Sequence, residues 1–332
     1  AMAGGPALLR PHVKTHKIVE ISRMLLNAGI NKFKCATIAE VEMLVIAGAQ
    51  DILLAYQPTI VKAERLARIS EANPGVKFGY LVDNEHSAQE LSAFFTGKNL
   101  DSWIDVNVGM NRTGIDPGKA LDLYLYCIKN LGKAPIGLHA YDGHIHDTDT
   151  NARFAKAGSV FQQINELRSL IVKQTNQQPK IVLGGTPCFP YYSGLQNIET
   201  SPGTFVFWDH GYSTMLPDMK FEIGAILLTR IISIIDATKV CLDLGHKSIA
   251  AEGPLPRVFF PGHPDAKVLG QSEEHMVVEV NDSSVHNIGQ EWYGIPTHIC
   301  PTVALYESVY TVEDNLVTGS WKVIARDRKI NY

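Results

Sequence analysis

Short apolar runs alternate with helical stretches along the first two-thirds of the chain, and this alternation predicts an α/β fold. The runs Leu8–Lys14, Lys32–Thr37, Asp51–Tyr56, Lys77–Asp83, Trp103–Val108, Ile136–Tyr141, Lys180–Gly184 and Thr204–Trp208 read as strands. Most gaps are roughly 15–30 residues, enough for a helix and two loops, which is the spacing of βαβ units in a parallel sheet. Eight such strands predict a closed (β/α)8 TIM-like barrel. Thr37-Ile-Ala-Glu40 has the spacing of a capping box. Asp116-Pro117 starts a helix that Gly132 can end, with Leu121, Leu125 and Ile128 on one face. Asn151–Gln174 reads as a longer helix. After about Pro217 the texture changes to short β-rich runs separated by Gly, Pro, Asp and Asn: Ile223–Ile235, Val240–Leu244, His275–Val280, Thr302–Val312 and Trp321–Ala325. The division expected is therefore a barrel over residues 1–217 and a mostly β domain over residues 218–332.

Bulk properties narrow the function classes. A chain of 332 residues exceeds the size at which one core usually stops growing, in keeping with two domains. Hydrophobic residues make up 45% and charged residues 19%, as in a soluble globular protein. The net charge is −4, and no block of like charge appears, so neither nucleic acid nor an anionic membrane is expected as a partner. The longest apolar runs, such as Ile223–Leu228, are too short to span a bilayer, and the start lacks the basic and apolar regions of a signal peptide. Five cysteines (Cys35, Cys127, Cys188, Cys241, Cys300) at irregular spacing fit free thiols in a reducing, cytoplasmic compartment.

In such a barrel the chemistry sits where strands end. The expected rim gathers Lys14, Thr15 and His16, then Tyr56, Asp83, Arg112, His139, Tyr141, Asp142 and His144. Gly184-Gly185-Thr186 and Gly203-Thr204 fall at the seventh and eighth predicted strands, the usual phosphate location. Glycines allow close backbone approach, and a Thr hydroxyl adds a donor, although turn glycines without a ligand have the same spacing. Lys14 lies where an apolar strand meets the rim, as a Schiff-base lysine does and as many surface lysines do. His12 and His16 flank it. His298-Ile-Cys300 places an imidazole and a thiol on one side of a strand, a pair that suits zinc. Two ligands are too few for a structural zinc site and leave positions for substrate and water. A buried Cys beside an incidental His would show the same spacing.

Arg10-Pro-His-Val-Lys14-Thr-His-Lys17 resembles the cofactor-lysine motif of the D-threonine aldolase and D-serine dehydratase family, which shares the alanine racemase fold type. Further similar segments are Asp105-Val-Asn-Val-Gly-Met-Asn-Arg112-Thr-Gly, Gly137-Leu-His-Ala-Tyr-Asp-Gly, Gly184-Gly-Thr-Pro, Ser201-Pro-Gly-Thr-Phe, Leu242-Asp-Leu-Gly-His-Lys247, Ser272-Glu-Glu-His and His298-Ile-Cys-Pro-Thr-Val303. The resemblance implies a fold type III pyridoxal 5'-phosphate enzyme and a homodimer acting on a small D-amino acid. It implies that Lys14 holds the cofactor, that Arg112 lies near the ring oxygen, and that Tyr141, Gly185, Thr186, Gly203 and Thr204 surround ring and phosphate. His298 and Cys300 would ligate a divalent metal, with zinc favoured by the thiol over manganese or magnesium. His139, Asp142 and His144 are candidate catalytic groups by chain position, beside Lys14 as candidate base. Family members carry about thirty further residues before the lysine motif, whereas here only Ala1–Ala7 precede its neighbourhood, so a segment missing from the start is expected. Dehydratase members tend to have Cys where aldolase members tend to have Asp, so Cys300 favours β-elimination to a keto acid and ammonia. Retro-aldol cleavage to glycine and an aldehyde remains open. So does an amino-acid racemase, for which Tyr293 and Tyr306 are available as a second base, and so does a non-catalytic cofactor carrier.

Overall fold

The computed structural model describes residues 5–332, so the first four residues of the expected N-terminal remnant lie outside it. Seven parallel strands follow one another in sheet order: β1 (Lys32–Cys35), β2 (Asp51–Leu54), β3 (Lys77–Val82), β4 (Leu100–Val106), β5 (Gly137–Ala140), β6 (Lys180–Leu183) and β7 (Ile198–Thr200). Helix α1 (Val19–Asn27) precedes β1, and helices α2 (Ile38–Ala47), α3 (Ile60–Ala72), α4 (Glu85–Phe94), α5 (Pro117–Leu131), α6 (Thr150–Thr175) and α7 (Phe189–Ser193) lie between the strands.

The ring is completed by the segment predicted as the first strand. Leu9 bridges Thr200 of β7 and His12 bridges Lys34 of β1. Arg10 N donates to Thr200 O at 2.8 Å, and Val13 N donates to Lys34 O at 2.9 Å. Lys14 then falls in a turn. The expected eighth strand at Thr204–Trp208 is instead a 3-10 turn at Thr204–Val206, and its place is taken by β7. An apolar run of that length cannot be told from a buried turn by periodicity alone.

The helix signals behave as chemistry dictates. Thr37 accepts from Glu40 N, while Glu40 reaches back to Ala36 N. Asp116 accepts from Gly118 N, and Gly132 ends α5 in the left-handed conformation. The buried face of α5 is Ala120, Leu123, Tyr124 and Cys127, with Leu121 and Ile128 at its margin.

Two hydrophobic layers result in the barrel. Phe33, Cys35, Ile52, Leu54 and Ile104 face the helices. Leu53, Leu81, Trp103 and Val182 fill the ring's interior. Arg10, fully buried, holds Asp51 at 2.8 Å and Glu199 at 2.7 Å.

A boundary was expected at 217/218, whereas the compact units divide at Gly203/Thr204, and Tyr310–Tyr332 return to the barrel unit. The second unit, Thr204–Val309, is an antiparallel sheet ordered β10-β13-β8-β9-β12-β11. Its strands are β8 (Leu227–Asp236), β9 (Lys239–Leu242), β10 (Val258–Phe259), β11 (Lys267–Gln271), β12 (Met276–Glu279) and β13 (Glu291–Pro296). Its core includes Ile231, Leu242, Met276, Phe260 and Trp292. Helices α8 (His210–Met215) and α9 (Ile299–Val303) complete it, and a β14–β15 ladder (Ser308–Glu313, Leu316–Lys322) follows. No described helix is long and apolar enough to cross a membrane, and all five cysteines are free thiols.

Candidate active site

One aromatic ring organises the barrel mouth. Tyr141 follows β5, and three cations from three different elements face its ring. Lys14 Nζ lies 5.6 Å from the ring centroid, Lys34 Nζ 5.8 Å and Arg112 Cζ 5.0 Å. The Lys14 turn is held by Lys14 N donating to His12 Nδ1 at 3.1 Å. Burial, and then the charge of Lys14, push the His12 pKa well down, so this imidazole is neutral. Arg112 is carried by the loop after β4. There Asn107 Oδ1 accepts from Gly109 N and Asn111 N, and Gly114 N donates to Asp83. Exposed His144 packs on that loop, its Nε2 lying 2.7 Å from where a Cβ on Gly109 would stand.

Parallel register sets Asp105 of β4 beside His139 of β5. His139 Nδ1 and Asp105 Oδ1 are 2.7 Å apart. Asp105 also accepts from Gln57 at 2.8 Å and Thr113 at 3.0 Å. Burial alone would raise the Asp105 pKa, but these hydrogen bonds hold it below the usual value. For His139, burial outweighs the pull of Asp105 and lowers its pKa. The imidazole is therefore neutral, with Nδ1–H donating to the carboxylate and a buried Nε2 that has no partner among the described residues.

Asp142 is placed differently. It accepts from Tyr192 Oη at 2.7 Å and from Gly185 N at 3.1 Å, and burial raises its pKa against those bonds. It thus fixes the first glycine corner. Gly184, at φ +76°, permits this turn, and a Cβ there would stand 2.6 Å from Tyr192. Gly203 N donates to Thr186 Oγ1 at 3.1 Å, which joins the two glycine corners. A Cβ on Gly203 would crowd His12 O at 3.1 Å and Thr15 Oγ1 at 3.2 Å, so the Lys14 turn lies against the second corner.

In the second unit, His298-Ile-Cys300 is not a strand. His298 caps α9, and Asp209 accepts from Ile299 N at 3.1 Å. The helix start nevertheless brings the two side chains together. A hydrogen bond to Cys300, with Glu252 also beside the ring, raises the His298 pKa to about 9. Thr204 Oγ1 lies 3.6 Å from Cys300 Sγ. Among the described residues no group of three His, Cys, Asp or Glu gathers to hold a metal. Imidazole plus thiolate is a donor set for zinc with open positions.

Sequence reasoning placed Asp105 on the rim without giving it a role, and it missed Lys34, Glu252 and Asp209 as site residues. Lys32-Phe-Lys-Cys35 alternates polar and apolar residues, which in an open sheet would turn the lysines to solvent. In a closed ring the other face is the interior, and Phe33 and Cys35 pack toward the helices.

The barrel mouth fits a phosphorylated aldehyde cofactor. Three cations face one hollow, and Lys34 forms no ion pair with any described carboxylate. The Gly185 and Gly203 N–H groups are engaged by Asp142 and Thr186, so these glycines shape the corner.

Residues 1–210 match the family model described as alanine racemase, N-terminal domain, and residues 225–312 match a putative serine dehydratase domain. The chain is 28% identical over 327 residues to D-threonine aldolase from Arthrobacter sp, covering 96% of this chain and 85% of that one. It is 27% identical over 212 residues to D-threo-3-hydroxyaspartate dehydratase from Delftia sp. strain HT23, covering 60% and 54%. The crystal structure of D-threonine aldolase from Filomicrobium marinum superposes with a TM-score of 0.85 at 27% identity, covering 96% and 88%.

Proposed function

The chain belongs to the D-threonine aldolase and D-serine dehydratase family of pyridoxal-phosphate lyases on the alanine racemase fold, and from that premise we propose that it is a metal-dependent dehydratase of D-3-hydroxy amino acids. The observation that carries this reading is the His298–Cys300 pair, hydrogen-bonded at the start of α9. A thiolate donor selects zinc over harder cations. Zinc held there would supply the Lewis acid that lets a β-hydroxyl leave. The bound cofactor supplies an electron sink for the pair left at Cα.

The chain's own groups do the rest. Lys14 anchors the cofactor through its amine and is the candidate base for the α-proton. Arg112 and Tyr141 orient the ring. Thr186, Gly203 and Thr204 are the candidate phosphate residues. Asp105 fixes the tautomer of His139, leaving Nε2 able to accept a proton or a hydrogen bond inside the hollow. Asp142 positions Gly185, and His144 supports the Arg112 loop through Gly109. We read the working form as a homodimer.

A second reading, retro-aldol cleavage, is favoured by the 28% identity to an aldolase across 96% of the chain. One experiment separates them. Enzyme with pyridoxal phosphate, zinc-loaded or chelated, is offered D-serine, D-threonine and D-3-hydroxyaspartate, with the L-forms as controls. Keto acid and ammonia, lost at least about tenfold on chelation and in Cys300→Ser, are expected. Glycine and an aldehyde would overturn elimination in favour of the aldol route.

A further inference from the structure

We propose that Lys34 is an oxyanion-binding residue of the Lys14 site, taking an anionic oxygen from the cofactor ring or from the substrate's carboxylate. This rests on the reading of Lys14 as the cofactor lysine. Lys34 is 2% exposed and turned into the ring of strands, while its neighbours Phe33 and Cys35 pack outward. Its ammonium faces the same Tyr141 ring as Lys14 and Arg112. Among the described residues it forms no hydrogen bond or ion pair. The contrast with Arg10 is instructive. Arg10 is equally buried in the same barrel but is matched by Asp51 and Glu199. The carboxylates nearest Lys34 are engaged elsewhere, Asp105 by His139, Gln57 and Thr113, and Asp142 by Tyr192 and Gly185.

A buried ammonium without a counterion is costly, so it either sheds its proton or receives an anion from outside the chain. The hollow supports both states. Burial, then the charge of Lys14, bring the Lys34 pKa down to about 7. The groups facing it are Arg10, His12 and Lys14 on the leading segment, Asp105 on β4, His139 on β5 and Asp142 after it. None of these supplies a hydrogen-bonded anion. A ligand oxyanion would restore the charged form, so binding above pH 7 should draw one proton from solvent.

Calorimetry of apoenzyme with pyridoxal phosphate at pH 8, in two buffers of different ionisation enthalpy, reads that proton directly. The wild type should take up one proton more than Lys34→Met and bind the cofactor about tenfold or more tightly, since a hydrogen bond to a charged group is at stake. Lys34→Arg, which keeps the cation, should retain the affinity. If cofactor binding and proton uptake are unchanged in Lys34→Met, D-alanine and D-aspartate are titrated into loaded enzyme. Weakening of both assigns the oxyanion to the α-carboxylate, and weakening of D-aspartate alone assigns it to a side-chain carboxylate. If proton uptake, cofactor affinity and both amino-acid affinities match the wild type, the proposal is overturned. Borohydride reduction and peptide mapping of the wild type test the premise separately. If no cofactor is found on Lys14, the reading of the site fails whatever Lys34 does.

Discussion

Three barrel histidines, two of them flanking Lys14, show how a barrel interior sets charge states residue by residue. His12, His16 and His139 all have lowered pKa values, and in each case burial is the largest cause. His16 is brought to about 3, while its Nδ1 accepts from Ile18 N at 3.0 Å. The sign of the linkage follows. A histidine buried neutral stabilises the fold above its unfolded pKa of about 6.5, and that stability is lost as pH falls toward the folded value. For His16 the window runs from about 6.5 to about 3. Urea unfolding measured across that range should show stability falling with acid. His16→Asn, whose amide oxygen can still accept the Ile18 N–H, should flatten the slope by about one proton, roughly 1.4 kcal/mol per pH unit. An unchanged slope would mean that His16 is protonated in the folded protein. Sequence displayed His12 and His16 around Lys14, and His139 at a strand end, but could not assign their protonation, because burial is a property of the closed ring.

At the scale of elements, local chemistry was readable where it is local. The Thr37 and Asp116 caps, the Gly132 stop and the long α6 follow from neighbouring residues alone. Two elements were misread where a distant partner decides. β7 is only three residues long and carries Glu199, whose carboxylate faces Arg10 and Lys32 inside the barrel. Its one apolar residue, Ile198, is too little to announce it. His298-Ile-Cys300 follows a strand that ends at Pro296, and the Asp209 carboxylate, far away in sequence, starts a helix there. The candidate ligands still meet, by a helix cap and not by strand alternation. The glycine corner after β6 is the most demanding element of the site. Gly184→Ala places a Cβ in the left-handed region and against Tyr192, which holds Asp142. We expect it to destabilise the protein by about 1–2 kcal/mol or more and to weaken pyridoxal-phosphate binding. Zinc content, measured on the same samples, should not change, because the candidate ligands His298 and Cys300 belong to the other unit.

On the whole-molecule scale the chain order and the structural order differ. The α/β-then-β texture was legible, since period and turn residues change near the boundary. The return of the last residues to the barrel unit was not, because their β-rich pattern resembles that of the segment before them. The contacts explain the return. Asn331 N donates to Glu42 at 2.6 Å, and Arg65 joins Glu42 at 3.0 Å to Arg328 O at 3.2 Å. Ala325 N donates to Lys17 O at 3.2 Å, three residues beyond Lys14. Ile324, Ile330 and Tyr332 pack on the barrel's outer core. The tail therefore braces α2 and the turn that carries Lys14, although it is the part of the chain most distant from them in sequence. A chain ending at Lys322 loses the apolar cover and the bond at Lys17 together. Its barrel unit should melt several degrees lower by calorimetry, as expected for a loss of about 2 kcal/mol or more. Borohydride-reducible pyridoxal phosphate at Lys14 should fall in parallel. Melting and labelling equal to those of the full chain would show that the tail only rests on the barrel and leaves the Lys14 turn self-supporting.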